Sequence, residues 1–187
     1  MSKNSFWYRT ATLLLLGGTL GLMPAAAQPT PRFEAVKVGA FSPAVDSLLT
    51  QALAILNQHF FSAEFKRKLL ATPMKRTQGL TPAQVYERVT RPNLNGNVVM
   101  RLTVYTDKAG GEVGVTTTNA SGTLTSTFEG YVTRNGAKCY AAHLAHEYCH
   151  WVGFTHPKYS LLGNTKARSV PYAVGDLLAE HLDASCP

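Results

Sequence analysis

The chain has 187 residues, a formal net charge of +7, and 45% hydrophobic against 16% charged residues. That balance excludes a disordered chain, and the length allows one sizeable core. The modest positive charge favours acidic surfaces or substrates. The basic clusters Lys66-Arg67-Lys68 and Lys75-Arg76 have no interleaved aromatics on which bases would stack, so no nucleic-acid partner is expected.

The chain opens with Lys3 and Arg9, an apolar run over 11–22 and the small residues Ala25-Ala26-Ala27 after Pro24. Positive, then apolar, then small is the order of a secretory signal. The run falls short of the roughly 20 residues that span a bilayer as a helix. Residues 1–27 are therefore expected to be a cleaved signal peptide and 28–187 a single exported domain, periplasmic or secreted, with no stable membrane insertion after cleavage. Losing Lys3 and Arg9 takes the charge from +7 to +5. Residues 28–32, with Pro29 and Pro31, read as an extended leader.

Ser42-Pro43 has the pattern of an N-cap with proline at the first helical position. Val45, Leu48, Leu49, Ala52, Leu53 and Leu56 recur at helical spacing, predicting an amphipathic helix over 43–60. A shorter helix is predicted over 62–71. Thr81-Pro82-Ala83-Gln84 matches a capping box and predicts a helix through Val89. Over 98–106, Val98, Met100, Leu102 and Val104 alternate with Val99, Arg101, Thr103 and Tyr105, the period of a strand. Residues 107–111 read as a glycine-containing turn and 112–118 as the hairpin partner of that strand. A threonine-rich strand over 123–132, a helix over 138–152, a loop over 157–168 and a last helix over 174–182 complete the prediction. Cys139 and Cys149, on or near one helix, would lie about 15 Å apart, beyond disulfide reach. Cys186 is then a partner in any bridge; Cys139–Cys186 is the preferred pairing, with Cys149 a buried thiol.

The most informative segment is His146-Glu147-Tyr148-Cys149-His150-Trp151-Val152-Gly153-Phe154-Thr155-His156, which satisfies H-E-x-x-H-x-x-G-x-x-H at every fixed position. Four residues apart on a helix, His146 and His150 project from one face. Both can then bind one ion at about 2.0–2.1 Å. Gly153 permits the left-handed conformation that ends a helix, so that His156 can return as the third ligand. Three protein ligands leave a coordination position open, as in catalytic zinc sites. Glu147, about 100° around the helix from His146, is placed to move a proton without ligating.

This segment resembles the metzincin clan of zinc metallopeptidases. The resemblance implies an α+β, zincin-like fold: a twisted mixed sheet, an active-site helix and a small C-terminal subdomain. It implies one zinc ion, a protein or peptide substrate aligned by an edge strand, and hydrolysis with Glu147 as general base and acid. The chain departs from the clan in one respect. No methionine follows His156, and the last is Met100. Ser169-Val170-Pro171-Tyr172 resembles the missing turn, with Pro171 in the methionine's place. Tyr172 is then either a group aimed at the metal or the oxyanion, or an ordinary turn aromatic. His143 reads as a half-exposed structural histidine, Trp151 and Phe154 as packing residues, and His59 and His181 as neither. Asp176 and Glu180 share a helical face and can orient a ligand histidine or simply be solvated. Two alternatives stand beside the peptidase. One is a non-catalytic, zinc-stabilised exported binding protein, against which Glu147 speaks. The other is the bacterial endoribonuclease family with three similarly spaced metal-binding histidines, which lacks a glutamate at the Glu147 position and works in the cytoplasm.

Overall fold

A computed structural model describes residues 29–107, 113–156 and 169–187. The signal-like segment, the loop over 157–168 and most of the turn over 107–111 lie outside the described residues. Among these, the order is β1 (Phe33–Lys37), α1 (Pro43–His59), α2 (Ala63–Ala71), α3 (Pro82–Val89), β2 (Val98–Tyr105), β3 (Gly114–Asn119), β4 (Gly122–Phe128), α4 (Glu129–Trp151) and α5 (Val170–His181). The architecture is α+β, built on an open four-stranded mixed sheet of order β1-β2-β4-β3. None of the described helices is long and apolar enough to cross a membrane.

The three early helices start where their side chains cap them. Ser42 Oγ accepts from the Val45 amide and Ser62 Oγ from the Phe65 amide. Thr81 and Gln84 exchange both bonds of the capping box. β1 was not foreseen. It has only five residues, of which Phe33 alone is buried. Asn57 of α1 holds its start by bonding both the amide and the carbonyl of Phe33.

The strand over 98–106 does not form a hairpin with 112–118, as the alternation had implied. β2 lies between β1 and β4 and runs parallel to both. β3 pairs instead, antiparallel, with β4 across the tight connection Ala120-Ser121, Thr116 opposite Thr125. The physical reason is burial. β2 puts Val98, Met100 and Leu102 into the core and needs neighbours on both sides, a central position, whereas β3 is largely exposed and suits an edge. β4 stops at Phe128 rather than continuing to Val132. The helix begins at Glu129, whose carboxylate accepts from Ser42 Oγ at 2.6 Å. Gly136, at φ 74°, kinks α4 and separates a short first segment from the long one that carries the histidines. Only glycine occupies that region cheaply.

α4 packs against α1, α5 and the inner face of the sheet. Phe33, Phe60 and Tyr148 meet there, with ring centroids 5.1 and 5.5 Å apart edge to face. Cys139 and Cys186 form a disulfide that ties the segment after α5 to α4, and Cys149 is free and buried, as the sequence led us to expect.

Candidate metal centre

The second half of α4 ends in a Schellman turn: the Gly153 amide bonds the His150 carbonyl and the Phe154 amide bonds that of Cys149. Gly153 has φ 92°, the left-handed conformation expected of it. This turn does two jobs. It reverses the chain so that His156 faces the helix again, and it places the Phe154 carbonyl 2.8 Å from His150 Nδ1. That ring nitrogen is thereby occupied and Nε2 is left to face the cleft.

His146, His150 and His156 converge, each offering a ring nitrogen within 4.8 Å of the others. Ring centroids are 5.3, 5.4 and 4.9 Å apart. On a tetrahedral ion with bonds of about 2.0–2.1 Å, two ligand nitrogens sit roughly 3.4 Å apart, so this triad needs only a small contraction. His146 is held by a hydrogen bond to the Pro171 carbonyl. Burial is the main force lowering the proton affinity of His146 and His150, with the other imidazoles adding to it. Both rings are therefore neutral near pH 7, the form that binds a metal. The three residues can hold a metal ion, and a donor set of three imidazoles, two of them neutral and braced by backbone carbonyls, suits a borderline cation.

A cleft runs past this triad from β3 to the end of α5, lined by Gly114, Thr116, His143, Glu147, Tyr172 and Asp176 among others. Glu147 is buried in its wall and accepts a hydrogen bond from Thr116 Oγ1 at 2.6 Å. Tyr172 stacks edge-on to His146 at 4.7 Å and lies 5.0 Å from His156. Its segment is not a turn ahead of a helix over 174–182. Ser169 is the N-cap and Val170-Pro171-Tyr172 the first turn of α5 itself. Proline at the first positions starts a helix well, which favours this outcome. Burial, with the charges of Asp176 and Glu147, raises the phenol's pKa and keeps Tyr172 protonated.

His143 differs from expectation. Its side chain is only 8% exposed, Nδ1 lies 3.9 Å from Glu147 Oε1 and Nε2 3.2 Å from Thr127 Oγ1. Gly114 makes room for it, because a Cβ there would overlap His143 Nε2. Asp176 and Glu180 line the cleft. Cys149 points into the core, where burial raises its thiol pKa, so it is no ligand. His59 and His181 meet at 3.1 Å between α1 and α5. Thr116, Thr125 and Trp151 were missed as site residues: Trp151 Nε1 donates to Thr125 Oγ1, which lies 2.7 Å from Thr116 Oγ1. The alternate threonines of the 123–132 segment were a signal for Thr125 alone; Thr116 and Trp151 join it only through the strand pairing and the packing of α4.

No family model matches the chain, and neither a curated protein nor a solved structure matches it.

Proposed function

We propose that this chain is an exported, zinc-dependent endopeptidase, a divergent member of the zincin-like metallopeptidases. The observation that carries the proposal is the convergence of His146, His150 and His156 beside the buried carboxylate of Glu147 in one cleft. The mixed sheet, its exposed edge strand β3 along the cleft, and the histidine helix beneath agree with that fold class.

His146, His150 and His156 would hold the ion. Bound zinc supplies a Lewis acid for the scissile carbonyl and lowers the pKa of a water to about 7. Glu147 takes a proton from the attacking water and returns it to the departing amine nitrogen. Tyr172, protonated at neutral pH, donates a hydrogen bond to the oxygen that gains charge. An extended peptide pairs with the edge of β3, which brings its backbone across Glu147.

The test is bound-metal analysis together with cleavage of an unfolded protein such as casein, with and without chelator. One zinc per chain and chelator-sensitive cleavage are expected. Glu147→Gln keeps the zinc and loses turnover by several orders of magnitude. Wild-type cleavage by that variant would overturn the mechanism. A zinc-loaded protein that cleaves neither casein nor its own chain would favour the non-catalytic binding protein.

A further inference from the structure

Glu147 and Trp151 lie one turn apart on the face of α4 that meets the β3–β4 hairpin. Opposite them sit Thr116 and Thr125, a directly paired cross-strand couple whose side chains share a face. Along the helix, His143 meets Thr127, Glu147 meets Thr116 and Trp151 meets Thr125, with Thr116 and Thr125 at the same level of the hairpin.

The three bonds from Trp151 to Glu147 have one direction. An indole N–H only donates, and a threonine hydroxyl has one proton. Trp151 Nε1 donates to Thr125 Oγ1 at 2.9 Å. Thr116 gives its proton to Glu147 Oε2 at 2.6 Å, so at the 2.7 Å contact Thr125 is the donor. Chains aligned in this way polarise one another and rigidify. The far end is a partly buried indole packed against the core, a poor candidate for rotation.

We propose that Thr116 is the positioning residue for Glu147, locked in its donating sense by Thr125 and Trp151. A glutamate side chain has three rotatable bonds, and α4 alone does not fix its carboxyl group. The hairpin supplies the second anchor, from an element separate from the one that carries the metal ligands. The kinetic consequence rests on the peptidase reading above; the hydrogen-bond chain does not.

Two measurements test it separately. The first needs no activity. The indole ¹H–¹⁵N signal of Trp151, assigned by Trp151→Phe because the chain has two tryptophans, is followed in full-length protein with chelator present. Glu147→Gln is expected to shift that signal in wild type and to leave it unmoved in a Thr116→Val background. A shift that survives Thr116→Val, or no shift in either background, overturns the chain. Should Thr116→Val not fold, Thr125→Val serves, since it interrupts the same path and keeps Thr116. The second measurement is peptide hydrolysis with zinc. Thr116→Val is expected to lower kcat about tenfold or more, with KM and zinc content within about twofold, and Thr116→Ser to restore kcat. Equal kcat in Thr116→Val and wild type overturns the positioning role. Complete inactivity of wild type would instead sink the peptidase reading and leave the first measurement to decide the chain.

Discussion

His143, His146 and His150 stand along one wall of α4 with little access to water, and their protonation sets how this region responds to acid. Burial, helped by His150, pushes His143 down to about 4, and His146 and His150 are lowered from the same dominant cause. In the unfolded chain each would titrate near 6.5. Between those values the unfolded chain binds more protons than the folded one, so folding stability falls as pH falls. The contribution is complete above about pH 6.5 and is lost on the way to pH 4. Thermal melts with chelator present should therefore show a nearly flat Tm above pH 7 and a decline from 6.5 towards 4, shallower in His143→Gln. A Tm that rises over that interval would contradict the neutral state assigned to these rings. The three histidines that can hold a metal ion were legible from spacing alone, because the i, i+4 pair and the glycine three residues on are local geometry. The surroundings of Glu147 were not. Thr116 lies 31 residues away and reaches it only through a strand pairing that no local pattern announced.

Among the elements, the turn closing α4 couples backbone shape to the histidine triad most directly. Gly153 holds φ 92°, and the next carbonyl, that of Phe154, fixes His150. Gly153→Ala puts a Cβ into the left-handed region at a cost of about 1–2 kcal/mol. That strain should tilt the Phe154 carbonyl away from His150. Zinc affinity, measured by competition with a chromophoric chelator, is expected to drop on the order of tenfold while the fold persists; unchanged affinity would mean that the turn does not orient the ring. The starts of α1, α2 and α3, where a serine or threonine side chain caps the helix, were read to within a residue or two, whereas α5 begins four residues earlier than its periodicity suggested. α4 was misjudged at its start because Phe128 offers no capping side chain and Tyr131-Val132 continue an apolar, β-prone run. The β3–β4 pairing was misassigned for a related reason. Alternation reports which face is buried, not which strand lies alongside.

At the scale of the whole molecule, the parallel pairs β1–β2 and β2–β4 connect segments far apart in sequence, with α1, α2 and α3 all lying between β1 and β2. Such an order is invisible to local periodicity, and it explains why only the class of the fold could be read in advance. The disulfide closes a span of 47 residues from α4 to the segment after α5. With Cys139 and Cys186 joined, Cys149 is the molecule's single thiol, and it sits in the core on the helical turn between His146 and His150, with burial keeping it protonated. An alkylating reagent can reach it only when α4 leaves its neighbours. Labelling should therefore be slow in the native protein and slower with saturating zinc, by the factor that binding lends to the closed state. Equal rates with and without the ion would mean that zinc does not engage this helix. The buried sulfur is thus a ready-made clock: counted by mass spectrometry over time, it tells how often the histidine helix swings away and how firmly an ion holds it shut.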